Sequence, residues 1–301
     1  MFRSPACACD LKGYATITRS IRVLVLQPAL RWQQQMPNLH LIRQVVEKHV
    51  ASEPADLLVL PEVFNGVHCS DDPAAGPVAR QFLATLARAC RLNVIGGSID
   101  YQHEDVCRRN TCFVVDCEGR EAGVYHKRVL FGPEQTDRTA GDEGGVFEIA
   151  GVRVAVMVCA DLWNPLLARE LINRADLLCV ATKTTVPSGA HIDYARRLWW
   201  NLALTRAMEN GLPIVVSDWA EGRHETIGIA EGTRTRSIHY TSGGASITDP
   251  GKRPQFDALQ AVLPRGEPGI LAATIDLDGA ARFREYRRGV GLLPMMSAPE
   301  V

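Results

Sequence analysis

The chain reads as an α/β protein, a large sheet system covered by helices, and three observations carry that reading. Buried-strand and helical patterns alternate twice within residues 21–98. Two hairpin signals follow between residues 111 and 154, and strand-helix-strand alternation resumes from 152 to 216. Successive strand-helix units imply parallel strands joined by right-handed crossovers, while the hairpins add local antiparallel pairs.

Residues 21–27, Ile-Arg-Val-Leu-Val-Leu-Gln, form the first expected strand. After Pro37, apolar residues at Leu39, Ile42, Val45, Val46 and Val50 recur with helical spacing. The strand 57–60 ends at Pro61, which cannot donate a ladder hydrogen bond, so Glu62 opens a loop. Val78, Phe82, Leu83, Leu86 and Cys90 give a second helical stripe, followed by a strand over 93–98. Phe113-Val114-Val115 runs through Asp116 to Gly119 into Val124-Tyr125, and 147–149 and 152–154 flank Ala150-Gly151, both as hairpins. Beyond Cys159 the pattern predicts a helix over 166–175, a strand over 177–180 and a long helix over 194–210 ended by Gly211 and Pro213. Strands are expected at 214–216, 244–247 and 270–275.

The 301 residues suffice for a large core, and no linker, repeat or low-complexity segment divides them. Residues 1–20 are expected to be a flexible amino-terminal extension and 21–301 a single domain with an extended tail, since the last fifteen or so residues lack a clear pattern. A net charge of -1, with 22% charged residues, argues against a nucleic-acid surface or an acidic disordered tail and favours a small-molecule substrate. The nine cysteines show no C-x-x-C pair and are odd in number, which fits a reducing cytoplasm. The first twenty residues lack the apolar stretch of a signal peptide, and no segment has the roughly 18 apolar residues of a membrane helix.

Three reactive side chains share one kind of position. Glu62 follows the strand 57–60, Lys127 follows Gly123-Val124-Tyr125-His126, and Cys159 follows the apolar run 152–158. Each alone has an ordinary reading: a loop carboxylate, a surface amine, a small buried hydrophobe. Together, at strand ends that share one rim of a parallel-dominated sheet, they point to nucleophilic chemistry on an amide. A thiol with an ordinary pKa of about 8.5 is mostly protonated at neutral pH, so it needs a neighbouring base or cation.

Five stretches carry a resemblance. They are Leu58-Val59-Leu60-Pro61-Glu62-Val63-Phe64-Asn65-Gly66, Tyr125-His126-Lys127-Arg128-Val129-Leu130-Phe131 and Val158-Cys159-Ala160-Asp161-Leu162-Trp163-Asn164-Pro165. With them come Trp199 to Leu202 followed by Arg206-Ala207-Met208-Glu209-Asn210, and Gly243-Gly244-Ala245-Ser246-Ile247-Thr248-Asp249-Pro250-Gly251. In this order the chain resembles the nitrilase superfamily of carbon-nitrogen hydrolases, over about residues 21–276. The resemblance implies a four-layer α-β-β-α sandwich, assembly as a homodimer or higher homo-oligomer, and a Glu-Lys-Cys catalytic set without metal or organic cofactor.

Carried over by position, Glu62 is the general base, Lys127 the cation beside the oxyanion, Cys159 the nucleophile and the backbone N–H of Ala160 the second oxyanion donor. Glu134 is the candidate for the second glutamate many members carry between lysine and cysteine, with Glu143 as its competitor. Asp161 matches an aspartate where nitrile-cleaving members more often have glutamate, which tilts the reading to amides. Leu166 departs from the glutamate usual after the proline of that segment. His126, Trp163, Thr184 and Thr185 are candidate substrate contacts, with Lys183 on the same rim and His191 and Trp199 near the start of the long helix. The expected substrate is a small carboxamide; the alternatives are removal of a carbamoyl group from an N-carbamoyl amine or acid, and acyl transfer or partner binding without hydrolytic turnover. No nucleic-acid or membrane partner is expected.

Overall fold

The computed structural model describes residues 19–102, 107–230, 233–252 and 259–293. Two sheets form its centre. In the first, Ser20–Gln27 lies between antiparallel Gly269–Asp276 and parallel Leu57–Val59, which pairs in parallel with Asn93–Ile95. Arg108–Val115 then runs antiparallel to Asn93–Ile95 and Ile99–Gln102 along one edge and to Glu121–His126 along the other. In the second, Val152–Val158, Leu177–Ala181 and Ile214–Ser217 are parallel, flanked by antiparallel Gly145–Ile149 on one side and Ser246–Thr248 with Gln260–Val262 on the other.

Strand alternation sorts the core into three layers. Val23, Val25, Leu57, Val59 and Val114 of the first sheet meet Val154, Val156, Val158, Cys179 and Val215 of the second. The alternate residues Leu24, Leu26, Leu58, Leu60 and Val94 face Leu39, Ile42 and Val46 of helix Gln35–Ser52 and Leu83 and Leu86 of helix Ala75–Cys90. On the far side, Ala155, Met157, Leu178, Val180 and Val216 pack on Leu167 of helix Pro165–Glu170 and on Trp199, Ala203 and Ala207 of helix Ile192–Asn210. Helices, sheet, sheet and helices are thus stacked as the expected α-β-β-α sandwich.

Several elements differ from the sequence reading. The expected helix over 166–175 covers only Pro165–Glu170, because Asn173 adopts a left-handed backbone (φ 69°) that turns the chain toward Asp176. The expected strand over 93–98 stops at Ile95, where Gly97 (φ +60°) turns. Among the elements without a readable pattern are the strand Ile99–Gln102, the ribbon of Gly222–Ala230 with Thr233–Thr241, the strand Gln260–Val262 and the helix Leu277–Gly289. That helix is polar, N-capped by Asp276 accepting from the Gly279 N–H (2.8 Å), and includes residues 287–289. The expected extension before Arg19 and the tail after Leu293 lie outside the described residues.

Candidate active site

Glu62, Lys127 and Cys159 each leave the carboxyl end of a strand, and the two facing sheets bring these ends together. Glu62 is bound at both backbone poles to the opposite sheet's rim, its N–H donating to the Thr182 carbonyl (3.1 Å) and its carbonyl accepting from Trp219 Nε1 (2.7 Å). Gly97 is required beneath it, since a Cβ there would lie 2.1 Å from the Pro61 carbonyl oxygen. The Lys127 N–H donates to the Asn110 carbonyl (2.9 Å).

Cys159 has a left-handed backbone (φ 48°), a strained conformation for a residue with a side chain, and starts a short helical turn over Cys159–Trp163. Asp161 holds that turn. Its fully buried carboxylate accepts from the Val158 N–H (2.9 Å) and Tyr125 Oη (2.8 Å), and also from the N–H groups of Arg128 (3.0 Å) and Val129 (2.7 Å). One aspartate therefore ties the turn of Cys159 to the segment after Lys127, a structural task.

The side chains form one bonded set. Lys127 Nζ donates to Glu62 Oε1 and to Glu134 Oε2, each at 2.8 Å. Asn110 Nδ2 bridges the same two carboxylates, at 2.9 Å to Glu62 Oε1 and 2.8 Å to Glu134 Oε1. Glu134 also accepts from the Phe131 N–H (3.0 Å) and from Arg138 (3.3 Å), so both its oxygens are occupied. The Cys159 thiol hydrogen-bonds the Glu62 carboxylate. Both other named donors to Glu62 fall on Oε1, which leaves Oε2 for proton exchange.

Burial and charge act in opposite senses on these groups. Burial alone would raise the Glu62 carboxyl, yet the ammonium groups of Lys127 and Lys183 hold it below its ordinary value. Burial would lower Lys127, but Glu62, Cys159 and Glu134 hold it well above the ordinary lysine value. The Cys159 thiol is pushed up by burial and by Glu62, more than Lys127 draws it down. At rest the set is a neutral thiol beside an ionised glutamate and a charged lysine, an arrangement suited to general-base activation.

The family model for carbon-nitrogen hydrolases matches residues 22–285. The chain belongs to the carbon-nitrogen hydrolase family. Among curated relatives, it is 27% identical to the 2-oxoglutaramate amidase of Bacillus subtilis, over 86% of this chain and 92% of that one. It is 25% identical to the N-carbamoylputrescine amidase of Arabidopsis thaliana over 58% and 63%. Among solved structures, a Saccharomyces cerevisiae member of branch 10 of the nitrilase superfamily superposes with a TM-score of 0.72 at 19% identity, covering 96% of this chain and all of that one. That likeness shows the nitrilase fold.

This carbon-nitrogen hydrolase has a cavity of about 500 Å³ with Cys159 and Ala160 in its wall. Trp163, Thr184 and Thr185 line it as the sequence reading expects, with Trp199 and Lys183. His126 does not. Its Nδ1 lies 3.2 Å from Thr111 Oγ1, because alternation on Glu121–His126 turns Tyr125 toward the sheet interface and His126 away. Glu134 is buried in the set, whereas Glu143 is exposed and outside it. His191 is exposed, and Leu166 is 65% exposed at the start of its helix, so that departure from the family pattern falls on the surface.

Two residues of the site escaped the sequence reading. Asn110 sits within a strand and has no local signature until both glutamates meet it. Asp218 accepts from the Thr184 and Trp219 N–H groups (both 2.9 Å) and from Gly244 (2.8 Å), fixing the cavity wall. Its only signal was its place after the strand Ile214–Ser217.

Proposed function

We propose that the chain hydrolyses the C–N bond of a small carboxamide through a thioester on Cys159. The observation that carries this is the hydrogen-bonded set of Glu62, Lys127 and Cys159, with the thiol opening on the cavity. As Cys159 Sγ attacks the amide carbon, its proton passes to Glu62, and the oxyanion is held by Lys127 Nζ and the Ala160 N–H, at the end of a turn whose first amides lack intrahelical partners. Glu62 returns the proton to the leaving nitrogen, the C–N bond breaks, and ammonia or an amine departs. Glu62 then takes a proton from water, whose oxygen attacks the thioester. Collapse of this second tetrahedral species breaks the C–S bond, frees the acid and returns a proton to sulfur. Glu134, with both oxygens engaged, is a positioning residue that holds Lys127.

Kinship to a relative named 2-oxoglutaramate amidase supports an amide substrate. The match to a relative named N-carbamoylputrescine amidase favours the second reading, a carbamoyl substrate attacked by the same thiol. A panel of amides, carbamoyl compounds and nitriles, read by ammonia release and intact mass, tests both. Release of ammonia with an acyl adduct on the wild type but not on Cys159→Ala is the expected result. An adduct without acid release would mean transfer, and ammonia release unaffected by Cys159→Ala would remove the nucleophile from the account.

A further inference from the structure

A second lysine borders the cavity, and the hydrolytic cycle above leaves it without a task. Lys183 follows the strand Leu177–Ala181 and is half-buried. Its Nζ lies 4.1 Å from the centre of the Trp32 ring. Trp32 is fixed in turn: its Nε1 donates to His239 Nε2 (2.6 Å), and its ring packs on Trp219 (5.3 Å). Because His239 Nε2 accepts that bond, it carries no proton, and the ring is neutral. His224, stacked on His239 at 5.4 Å, is pulled down to about 4 by burial and neighbouring positive charge. The indole thus offers the ammonium a π-face, and the two imidazoles bring no countercharge.

Among the described residues, no carboxylate lies within ion-pair distance of Lys183, in contrast to Lys127 with two. Glu62 is paired with Lys127, and Glu134 with Lys127 and Arg138, so neither glutamate calls on Lys183 as a bonded partner. Val129, Val186 and Leu198 line the same cavity as an apolar wall suited to methylene groups. A cation left without a partner in such a wall is a costly arrangement unless a ligand supplies the anion.

We propose that Lys183 is an anion-binding subsite, docking a carboxylate on the acyl side of the substrate, so that the chain acts on mono-amides of dicarboxylic acids. This rests on the reading that Cys159 attacks an amide. The carboxylate pairs with Lys183, the chain of methylenes lies along the apolar wall, and the far carboxamide reaches the sulfur.

Binding separates the subsite from the chemistry. Malonamate, succinamate and glutaramate, each paired with the neutral amide of the same carbon chain, are titrated calorimetrically into Cys159→Ala. At least one acid should bind about 10- to 100-fold more tightly than its neutral counterpart, the range of one charge-assisted contact. Adding Lys183→Met should abolish that preference, and Lys183→Arg should restore most of it. The preference should also fall as pH rises through about 8, the value to which burial pulls this ammonium amid Glu62, Glu134, Lys127, Cys159, His224 and His239. Equal binding within every pair, no binding of any acid, or a preference that survives Lys183→Met would overturn the proposal. If the preference depends on Lys183 but the active protein releases no ammonia from these compounds, the hydrolytic reading fails and the subsite stands.

Discussion

Lys127 and Lys183 stand on one rim, from opposite sheets, and their surroundings differ in one respect. Lys127 is gripped by two carboxylates at 2.8 Å and held well above the ordinary lysine value, although burial works against it. Lys183 lies over an indole, and burial pulls it down to about 8. Burial disfavours both ammonium groups, so the presence of a partner decides which keeps its proton. A lysine that is always charged suits an oxyanion that forms anew in each cycle, whereas a lysine without a partner suits a ligand that brings one.

The sharpest break in this contrast is Lys127→Met. It removes the proposed oxyanion donor and leaves two buried carboxylates facing each other, so kcat/KM should fall by about 10³-fold or more. Urea unfolding should show a loss of about 3–5 kcal/mol, the usual cost of an orphaned buried charge. Retention of stability would mean that the glutamates shed their charge by taking up a proton.

Glu134→Gln should weaken the grip without removing the lysine. Removing one carboxylate lowers the Lys127 pKa, so the alkaline limb of the pH–rate profile should move toward neutrality while kcat drops by about 10²-fold. An unmoved limb would show that Glu134 acts on something other than Lys127.

Outside the site, Asp176 tests whether partners outweigh burial elsewhere in the fold. Burial would raise it, but Arg153 and Arg19 hold it at about 2. A carboxyl depressed in the folded state stabilises above its unfolded pKa, and that stability is lost as pH falls through the folded value. Asp176→Asn should therefore cost about 1–2 kcal/mol at pH 7 and almost nothing below pH 2. Denaturation midpoints at the two pH values give the difference directly.

The smallest effect is expected from Trp32→Leu. It takes the π-face from Lys183 and should reduce the preference for acid over neutral amides about two- to fivefold, since such a contact at a half-exposed site is worth roughly 0.5–1 kcal/mol. A larger loss would make the indole itself part of the binding wall.

What the sequence revealed follows from how local each signal is. Short apolar runs before Glu62 and Cys159 placed both groups at strand ends, because a buried strand and its exit are written in neighbouring residues. The same logic extended the helix over 166–175 past its true end, where the turn depends on Asn173 taking a left-handed backbone against ordinary preference. The ribbon Gly222–Ala230 with Thr233–Thr241 was illegible because its sequence has little apolar alternation, and yet it brings His239 to Trp32, the indole over which Lys183 lies. Asn110 became readable only through partners supplied by other strands, whereas Lys183 was legible on the rim because it follows the strand ending at Ala181, and only its indole contact came from elsewhere in the chain. His126 was misplaced for a simpler reason: adjacent strand residues face opposite ways, so a neighbour of Lys127 in the chain need not share its site.

In the proposed cycle, Glu62 takes the proton from a neutral thiol as the sulfur attacks. Glu62→Gln isolates this step, because loss of this negative neighbour makes Cys159 easier to ionise while removing the base. Single-turnover acylation of Cys159 by an amide, quenched and read by intact mass, should be about 10²- to 10⁴-fold slower in the variant, the usual contribution of a general base. Acylation as fast as in the wild type, or faster, would contradict the claim and assign Glu62 to restraining the thiol instead.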